Sequence, residues 1–432
     1  MLAAAGDALI TRRLPTPFGA SFNELVERIS SCDVGFANLE TVLRRDEGIP
    51  QVEGGGATWI WSDPEVLGDL QQMGFRLFSV AQNHMLDWGQ DGLLACLRYL
   101  EHGGAAYAGS GRTLTDARRP AYVDLPHGRV ALVALTTTFH DWNRAGDARS
   151  DCPGRPGINP LRIRTSLRVR PDAFRALKAL TENLHLAEVP PRVKSAVPVT
   201  SNDEIMFLHH LVRPGERDEA MYELDSADEA AVMRALAEAR RQADWVFVSL
   251  HSHEMEGTDP EQTPAYLRAF TQRCVEAGAD AVFGHGAHVL RGIEIYRGAP
   301  IFHGLGNLFF QNETLPYQPA DFYERVGLGP DATPGEGFDK RTDNGKKGFV
   351  AKPVFWNGAV ARARWKAGRL CAIDLDPIAL GYGAPRPERG FPELAGGDDG
   401  RAIVEIIARL SRPYGVDVTW DAPRSCGRVA IA

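Results

Sequence analysis

Cysteine is scarce in this sequence, and the cysteines that it has form no recognisable pattern. Six are spread along 432 residues without a C-x-x-C pair or a regular spacing: Cys32, Cys96, Cys152, Cys274, Cys371 and Cys426. Disulfide scaffolds and zinc ribbons both depend on closely and regularly spaced cysteines. The sequence therefore argues against both, and we expect reduced, mostly buried thiols.

Long apolar runs are also missing. The first residues, MLAAAGDALITRRLP, contain only a short apolar stretch, and their first basic residues come after it. Signal peptides and membrane anchors have a longer apolar run, and signal peptides carry their basic residues before it. Because no run of 18 apolar residues follows either, we expect a cytoplasmic protein without a membrane anchor.

A strong charge of one sign is absent as well. The chain has 48 basic and 56 acidic residues, a net charge of -8, and no block of Lys and Arg that could follow a phosphate backbone. This balance disfavours a nucleic-acid partner. The expected partner is a small-molecule or peptide substrate.

Short apolar runs alternate with amphipathic stretches along the first 310 residues. The runs predict strands at Leu2–Ala5, Val34–Leu39, Phe75–Val80, Ala105–Ala108, Val130–Thr136, Trp245–Leu250, Ala281–Phe283, Ile293–Tyr296 and Ile301–Phe302. Apolar residues at helical spacing predict helices at Phe22–Ile29, Leu93–Leu100 and Tyr266–Ala277. Alternation of this kind is typical of a layered α/β domain.

Two segments interrupt this alternation. Residues 140–244 are interpreted as an insertion that could cover the site as a lid, with helices at Asp172–Leu186 and Ala227–Gln242. The Gly- and Pro-rich stretch Gln311–Lys352 predicts a long loop.

The C-terminal part has a weaker pattern. It predicts a strand pair at Val354–Trp356 and Leu370–Leu375 and a helix at Arg401–Leu410. We therefore expect one main domain over residues 1–325, with residues 326–432 as an extension packed on it.

Polar side chains that can bind metal follow the ends of five predicted strands: Asp7, Glu40, Asn83, His84, His251, His253, His285 and His288. Ligands of open α/β sheets bind beyond the carboxyl ends of the strands, so these side chains are expected to share one site. Carboxylate, amide and imidazole ligands without a thiolate suit Mn, Fe or Zn in a catalytic centre. The set predicts one or two divalent metal ions that activate water for hydrolysis.

Each residue taken singly has an ordinary explanation. Asp7 fits a Gly-Asp turn, and Glu40 fits a surface or capping carboxylate. His285 and His288 could be hydrogen-bonded core histidines. The metal hypothesis therefore depends on the joint occurrence of these residues at successive strand ends.

The order of the motifs resembles the bacterial CapA family, named for the synthesis of poly-γ-glutamate capsules. The matching motifs are the G-D that ends at Asp7, the N-L-E that ends at Glu40, the N-H and D-x-G within Asn83–Gly89, the G-R-P-G-I-N-P-L-R of Gly154–Arg162, the G-H-G-A-H of Gly284–His288 and the G-L-G-N-L-F-F of Gly304–Phe310. The family is similar in fold to the calcineurin-like metallophosphoesterases. The resemblance therefore implies a four-layer αββα sandwich with insertions.

The same resemblance implies a role for each site residue. Glu40 takes the place of the carboxylate that bridges two metals. The ligands of one metal would be Asn83, His251 and His285, and those of the other would include Asp7 and His288. His84 would protonate the leaving group as a general acid.

The chain departs from the superfamily pattern at the first motif, which is usually D-x-H. Here Asp7 is followed by Ala and Leu, so one imidazole ligand is missing. His253 and His303 are candidates to replace it, to handle protons (His253) or to contact substrate (His303), and ordinary hydrogen-bonded histidines are the alternative. Arg155, in the G-R-P-G turn, is a candidate contact for an anionic substrate group or a residue that stabilises the loop.

Two functions remain open on the sequence. The preferred hypothesis is a metal-dependent hydrolase, in which metal-activated water attacks a phosphoester or an amide of the γ-glutamyl or peptide type. The alternative is a non-catalytic accessory or binding protein of a capsule-polymer or peptide assembly system, with a vestigial metal site. The missing imidazole favours the second hypothesis, and the retained ligands favour the first.

Overall fold

The computed structural model describes residues 1–15, 19–186, 203–208 and 210–431. These residues divide into two compact units, one of residues 1–160 and 230–432 and the other of residues 161–229. Residues 187–202 of the predicted insertion lie outside the described residues, and a lid function for the insertion stays a prediction.

The strands in chain order are β1 (Leu2–Leu9), β2 (Val34–Asn38), β3 (Phe75–Ser79), β4 (Ala106–Ala108), β5 (Ser110–Gly111), β6 (Ala121–Leu125), β7 (Gly128–Thr136), β8 (Gly157–Ile158), β9 (Ile163–Val169), β10 (Ile205–Phe207), β11 (His210–Pro214), β12 (Glu219–Leu224), β13 (Trp245–His251), β14 (Ala281–His285), β15 (Ile293–Tyr296), β16 (Ala299–Phe302), β17 (Asn307–Phe310), β18 (Asn357–Lys366), β19 (Arg369–Ala379), β20 (Glu393–Leu394), β21 (Val418–Asp421) and β22 (Cys426–Val429). The helices are α1 (Ala20–Ser30), α2 (Glu65–Gln72), α3 (Gly89–His102), α4 (Leu114–Arg118), α5 (Pro171–Asn183), α6 (Ser226–Gln242), α7 (Ala265–Glu276), α8 (Ala320–Arg325), α9 (Pro334–Thr342) and α10 (Gly397–Ser411).

Two large sheets form the first unit. The larger has the order β21-β22-β19-β18-β1-β2-β3-β4, with β17 also paired to β1 and β20 to β19. Its strands β1 to β4 run parallel, whereas β18 joins β1 antiparallel. The second sheet has the order β15-β16-β14-β13-β7-β6, with parallel pairing from β7 through β16.

The two sheets pack face to face because side chains alternate along each strand. On the inner face, Leu2 and Phe36 of the larger sheet share one apolar core with Phe247 and Phe283 of the second. On the outer face of the larger sheet, Ala3 and Ala5 belong to a core with α1, α2 and α3. Helix α7 packs against β14 on the far side of the second sheet. These layers confirm the predicted αββα sandwich.

Three local predictions need correction. β1 does not stop at Ala5 but continues to Leu9, because it pairs with β17 beyond a bulge after Asp7. The predicted strand Val354–Trp356 is a 3₁₀ turn, and the strand is β18, whose alternating small apolar and charged residues follow it. The predicted loop Gln311–Lys352 contains α8 and α9, and a capping box of Thr333 and Glu336 begins α9.

The second unit has a small sheet of its own, with the order β10-β11-β9-β12. Phe174 of α5 packs with Ile205 and Val212 in its core. Arg162, just before β9, forms salt bridges with Asp225 and Asp228, which follow β12 in the chain.

The six cysteines are free thiols, as expected, but only Cys96, Cys274 and Cys426 are buried, so the expectation that most would be buried is wrong. Within the described ranges, no helix has the combination of length and apolar character needed to cross a bilayer.

Candidate metal centre

Strand register brings the first site residues together. In the larger sheet, Asp7 of β1 lies beside Asn38, the last residue of β2. In the second sheet, His251 at the end of β13 lies beside His285 at the end of β14. The parallel strands end at the same edge of each sheet, so the loops that follow them can reach one site.

Carboxylates of the larger sheet face imidazoles of the second at short distances. An oxygen of Asp7 lies 3.5 Å from Nδ1 of His285, and its other oxygen lies 3.3 Å from Nδ1 of His288. Oε1 of Glu40 lies 3.6 Å from Nε2 of His288 and 3.9 Å from Nε2 of His251. Asn83 joins them, with its Oδ1 2.9 Å from Nε2 of His251.

Three overlapping groups in this cluster could each hold a metal ion, because their ligand atoms lie within 4.8 Å of one another. The groups are Asp7 with His251 and His285, Glu40 with His251 and His253, and Asp7 with Glu40 and His288. Asp7 therefore stands within reach of both His285 and His288, although the resemblance assigned these two histidines to different metals. All the predicted metal ligands lie in this one cluster, and their ligation of metal stays a prediction.

The surroundings of Glu40 indicate whether the cluster suits a cation. Its side chain is fully buried, and neither carboxylate oxygen has a hydrogen-bond partner among the described residues. A buried carboxylate without a partner is costly unless a proton or a cation compensates it. Nδ1 of His251 also lies only 3.1 Å from Nδ1 of His285, a spacing that suits a shared cation. The residues fit one or two divalent metal ions.

The pKa shifts of the cluster reflect burial and mutual contact. Burial and the charge of Asp7 raise the pKa of Glu40 well above its ordinary value. Burial would also raise the pKa of Asp7, but hydrogen bonds to His285 and His288 lower it well below its ordinary value. Burial lowers the pKa of His253 to about 3. The imidazole of His253 is therefore neutral at pH 7 and can act as a ligand.

Several supporting residues escaped the sequence prediction. The amide of Asn38 donates to Asp7 at 2.8 Å, and the backbone N–H of Gly286 donates to its other oxygen at 2.9 Å. Ser249 Oγ lies 2.6 Å from Nε2 of His285. Such partners orient metal ligands. Asn38 is the first residue of the N-L-E motif, so this motif could have identified it from the sequence.

His84 is held by a carboxylate that the sequence prediction did not name as a site residue. Its Nδ1 lies 2.7 Å from Oδ2 of Asp87, and both side chains are buried. Asp87 also accepts the backbone N–H groups of Gly55 and Ile60, each at 2.7 Å. Burial raises the pKa of Asp87, against the opposing effect of His84. The spacing N-H-x-x-D, from Asn83 to Asp87, could have identified this pair from the sequence.

His288 is held in a left-handed backbone conformation, with a φ of 58°. This conformation is uncommon outside glycine and is often found at functional sites. Nδ1 of His288 lies 2.9 Å from Oδ1 of Asn307, whose amide donates to the carbonyl oxygens of His288 and Phe355. Because these bonds orient the amide, Oδ1 accepts the Nδ1 proton and leaves Nε2 of His288 free to bind metal.

His253 and His303, the two candidates for the missing ligand, have different surroundings. Nε2 of His253 lies 3.1 Å from Nε2 of His251, inside the cluster. His303 is also buried, but its Nε2 lies 3.3 Å from Oε2 of Glu294, which also binds Arg268. His253 thus lies within a group that could hold a metal ion, and its roles as ligand and in proton handling stay predictions. His303 belongs to a separate ion-pair network.

Arg155 also lies apart from the cluster. Its side chain is exposed, and its Nε donates to the carbonyl oxygen of Arg144 at 3.0 Å. The backbone of Arg155 pairs with Gly146 across the same loop. These contacts match the loop-stabilising alternative, and a substrate contact through Arg155 or His303 stays a prediction that this geometry does not support.

Comparison with known proteins agrees with the motif order. The family model "Bacterial capsule synthesis protein PGA_cap" matches residues 1–312. The protein y4sH of Sinorhizobium fredii is 34% identical over 97% of this chain and 90% of its own length. A probable polyglutamine synthesis accessory protein of Mycobacterium tuberculosis is 27% identical over 69% of this chain and 58% of its own. The capsule biosynthesis protein CapA of Bacillus anthracis is 23% identical over 57% of this chain and 43% of its own. The chain belongs to the bacterial capsule synthesis protein family PGA_cap, the CapA family.

Proposed function

We propose that this protein is a metal-dependent hydrolase whose centre is built around Glu40. The observation that carries the proposal is the pair of buried Glu40 oxygens that have no hydrogen-bond donor among the described residues. A structural carboxylate at this depth would be paired, because an uncompensated buried charge costs several kcal/mol. Asp7 and the surrounding imidazoles supply the remaining ligands that a divalent cation needs.

The side chains of this chain would divide the work of hydrolysis. Asp7, Glu40, His251, His285 and His288 would hold the metal, with His253 and Asn83 completing the ligand set. A bound divalent cation supplies the means to lower the pKa of water and to stabilise negative charge in the transition state. Burial of the ligands excludes bulk water and strengthens these interactions.

His84 would supply the proton for the leaving group. Asp87 holds Nδ1 of the ring, so Nε2 is the nitrogen left to exchange a proton with substrate. A carboxylate that orients a catalytic imidazole in this way favours one tautomer of the ring.

The relatives suggest the setting in which such an enzyme acts. Their names refer to capsule biosynthesis and to polyglutamine synthesis. We therefore place the proposed hydrolase in the synthesis or processing of a capsule-type polymer. The bond cleaved would be an amide of the γ-glutamyl or peptide type or a phosphoester, because the same ligands serve both.

The experiment combines metal analysis with an activity panel. The purified protein is loaded with Mn²⁺, Zn²⁺ or Fe²⁺ and assayed on p-nitrophenyl phosphate, bis-p-nitrophenyl phosphate, γ-glutamyl-p-nitroanilide and poly-γ-glutamate. Metal-dependent turnover that His84→Ala abolishes is expected, and His102→Ala, at an exposed position on α3, serves as the control. If the protein binds no metal and both variants behave like the parent, the accessory-protein alternative replaces the hydrolase.

A further inference from the structure

We infer that Arg341 is a positioning residue for His84 and acts through residues 54–60, called here the glycine loop. The role of His84 in this inference rests on the proposed hydrolase function. Arg341 lies in the last turn of α9, beyond the residues that the family model matches. The proposed mechanism assigns no role to Arg341.

The glycine loop lies directly against His84. A Cβ atom added to Gly55 would come within 2.8 Å of both Nδ1 of His84 and Nδ2 of Asn83. Real Cβ atoms do not approach other atoms so closely, so only glycine fits here. The position of the loop and the position of the His84 ring are therefore tied to each other by contact.

Asp87 joins the loop to His84 by hydrogen bonds as well. Its Oδ1 accepts the backbone N–H of Gly55, and its Oδ2 accepts both the N–H of Ile60 and Nδ1 of His84. The two ends of the loop thus hold the carboxylate that holds the imidazole. If the loop moves, Asp87 loses the donors that fix its plane.

Arg341 binds the middle of the loop. Its guanidinium donates to the carbonyl oxygen of Gly56 at 2.8 Å, to that of Ala57 at 3.2 Å and to Oγ1 of Thr58. One planar guanidinium thus binds three neutral acceptors on consecutive residues with donors in a fixed fork, whereas an ammonium is a single point with three rotatable donors.

A second residue of the same segment supports this contact. Oε1 of Gln318 accepts the backbone N–H of Trp59, and its Nε2 donates to the carbonyl oxygen of Trp59, both at 3.0 Å. The segment after residue 312 therefore binds four consecutive loop residues, from Gly56 to Trp59. Its contribution to the site is to hold the glycine loop against Asp87 and His84.

The test uses Arg341→Met, with Lys340→Met as the matched control, because Lys340 is the exposed neighbour of Arg341 on α9. Amide hydrogen exchange of residues 54–60 is expected to become about tenfold faster or more in Arg341→Met and to stay unchanged in the control. The imidazole ¹⁵N signals of His84 should shift towards an exchanging mixture of tautomers. Metal content should equal that of the parent.

On a substrate that the parent turns over, kcat of Arg341→Met is expected to fall about 10- to 100-fold with little change in KM. Arg341→Lys should fall between the parent and Arg341→Met. If Arg341→Met does not fold, the same exchange and ¹⁵N measurements on Arg341→Lys decide.

The inference is overturned if loop exchange and the His84 signals match those of the control in every variant that folds. These two measurements need no turnover, so they test the inference even if the parent hydrolyses nothing. Absence of turnover in the parent would instead count against the proposed function.

Discussion

Nδ1 of His84 lies 2.7 Å from Oδ2 of Asp87, and both groups are buried next to Asn83 in the metal cluster. The same carboxylate accepts two backbone N–H groups, so its orientation is set independently of His84. In the proposed hydrolase, this pair would orient His84 as the proton donor.

Asp87→Asn is expected to lower kcat about 10²- to 10⁴-fold without changing metal content. The amide keeps the shape of the carboxylate but can present a donor to Nδ1, which favours the wrong tautomer of His84. Steady-state kinetics measures the change in kcat, and elemental analysis measures the metal content. Asp91→Asn, at an exposed position early in α3, is the control. Equal loss of activity in both variants would contradict the assignment.

Glu40→Gln is expected to weaken metal binding at least ~10-fold, because it removes the charge that compensates the cation. In the metal-free protein at neutral pH the same change should raise the free energy of unfolding by about 1–3 kcal/mol, since it removes a buried carboxylate that has no hydrogen-bond donor among the described residues. Titration calorimetry and urea unfolding measure the two effects. A metal-free variant less stable than the parent would show that Glu40 is paired in the protein.

Metal removal should destabilise the parent. A cation that binds only the folded state adds about 2.7 kcal/mol of stability at 100 times its Kd. Thermal unfolding with EDTA, and then with Mn²⁺ or Zn²⁺ restored, should therefore show a reversible change of several degrees. Glu40→Gln should reduce this change, and an identical melting temperature under both conditions would rule out a metal held by the folded protein.

Asn307→Leu is expected to weaken metal binding about 10- to 100-fold, because Nδ1 of His288 loses its acceptor. Asn307→Asp keeps an acceptor at the same place and should retain more of the affinity, although it loses the bonds to His288 and Phe355. Calorimetry with Mn²⁺ compares the two variants. Equal affinities would show that Asn307 supports the backbone rather than the ring.

Glu294 should contribute stability that is lost in acid. Burial would raise its pKa, but hydrogen bonds from His303, Arg268 and Gln272 lower it to about 2. A depressed pKa contributes stability above the unfolded value, and that contribution disappears as the pH falls towards 2. Glu294→Gln should therefore lower the free energy of unfolding at pH 7 by about 1 kcal/mol, a value that allows for solvent screening. The difference in free energy of unfolding between the parent and the variant should shrink between about pH 4.5 and 3.

The matching test on His303 separates structure from substrate binding. His303→Gln should reduce stability while leaving metal affinity and KM close to those of the parent, because its described partner is Glu294. Urea unfolding, calorimetry with Mn²⁺ and steady-state kinetics measure these three quantities. A raised KM with unchanged stability would restore the prediction of a substrate contact.

Much of the sandwich follows from local pattern. Phe75–Val80 and Trp245–Leu250 are apolar runs bounded by polar turns, and the structure has strands there within one residue at each end. The candidate ligands at the ends of the parallel strands, from Asn83 to His288, lie in one cluster because parallel strands end at one edge of a sheet. Local pattern misses β18, since its alternating Ala and Arg residues are half-polar and become a strand only by pairing with β1 and β19.

The sequence by itself determined the α/β class, the strands that carry the site and the chemical kinds of ligand, because hydrophobic period and side-chain chemistry are local properties. Only the tertiary structure separated the surroundings of His253 and His303, which are equivalent imidazoles in the sequence: the first lies beside His251 and the second beside Glu294. In the sequence there was likewise no sign of the contact between Arg341 and the glycine loop, since hydrogen bonds between residues 284 and 285 positions apart depend on packing that no local pattern encodes.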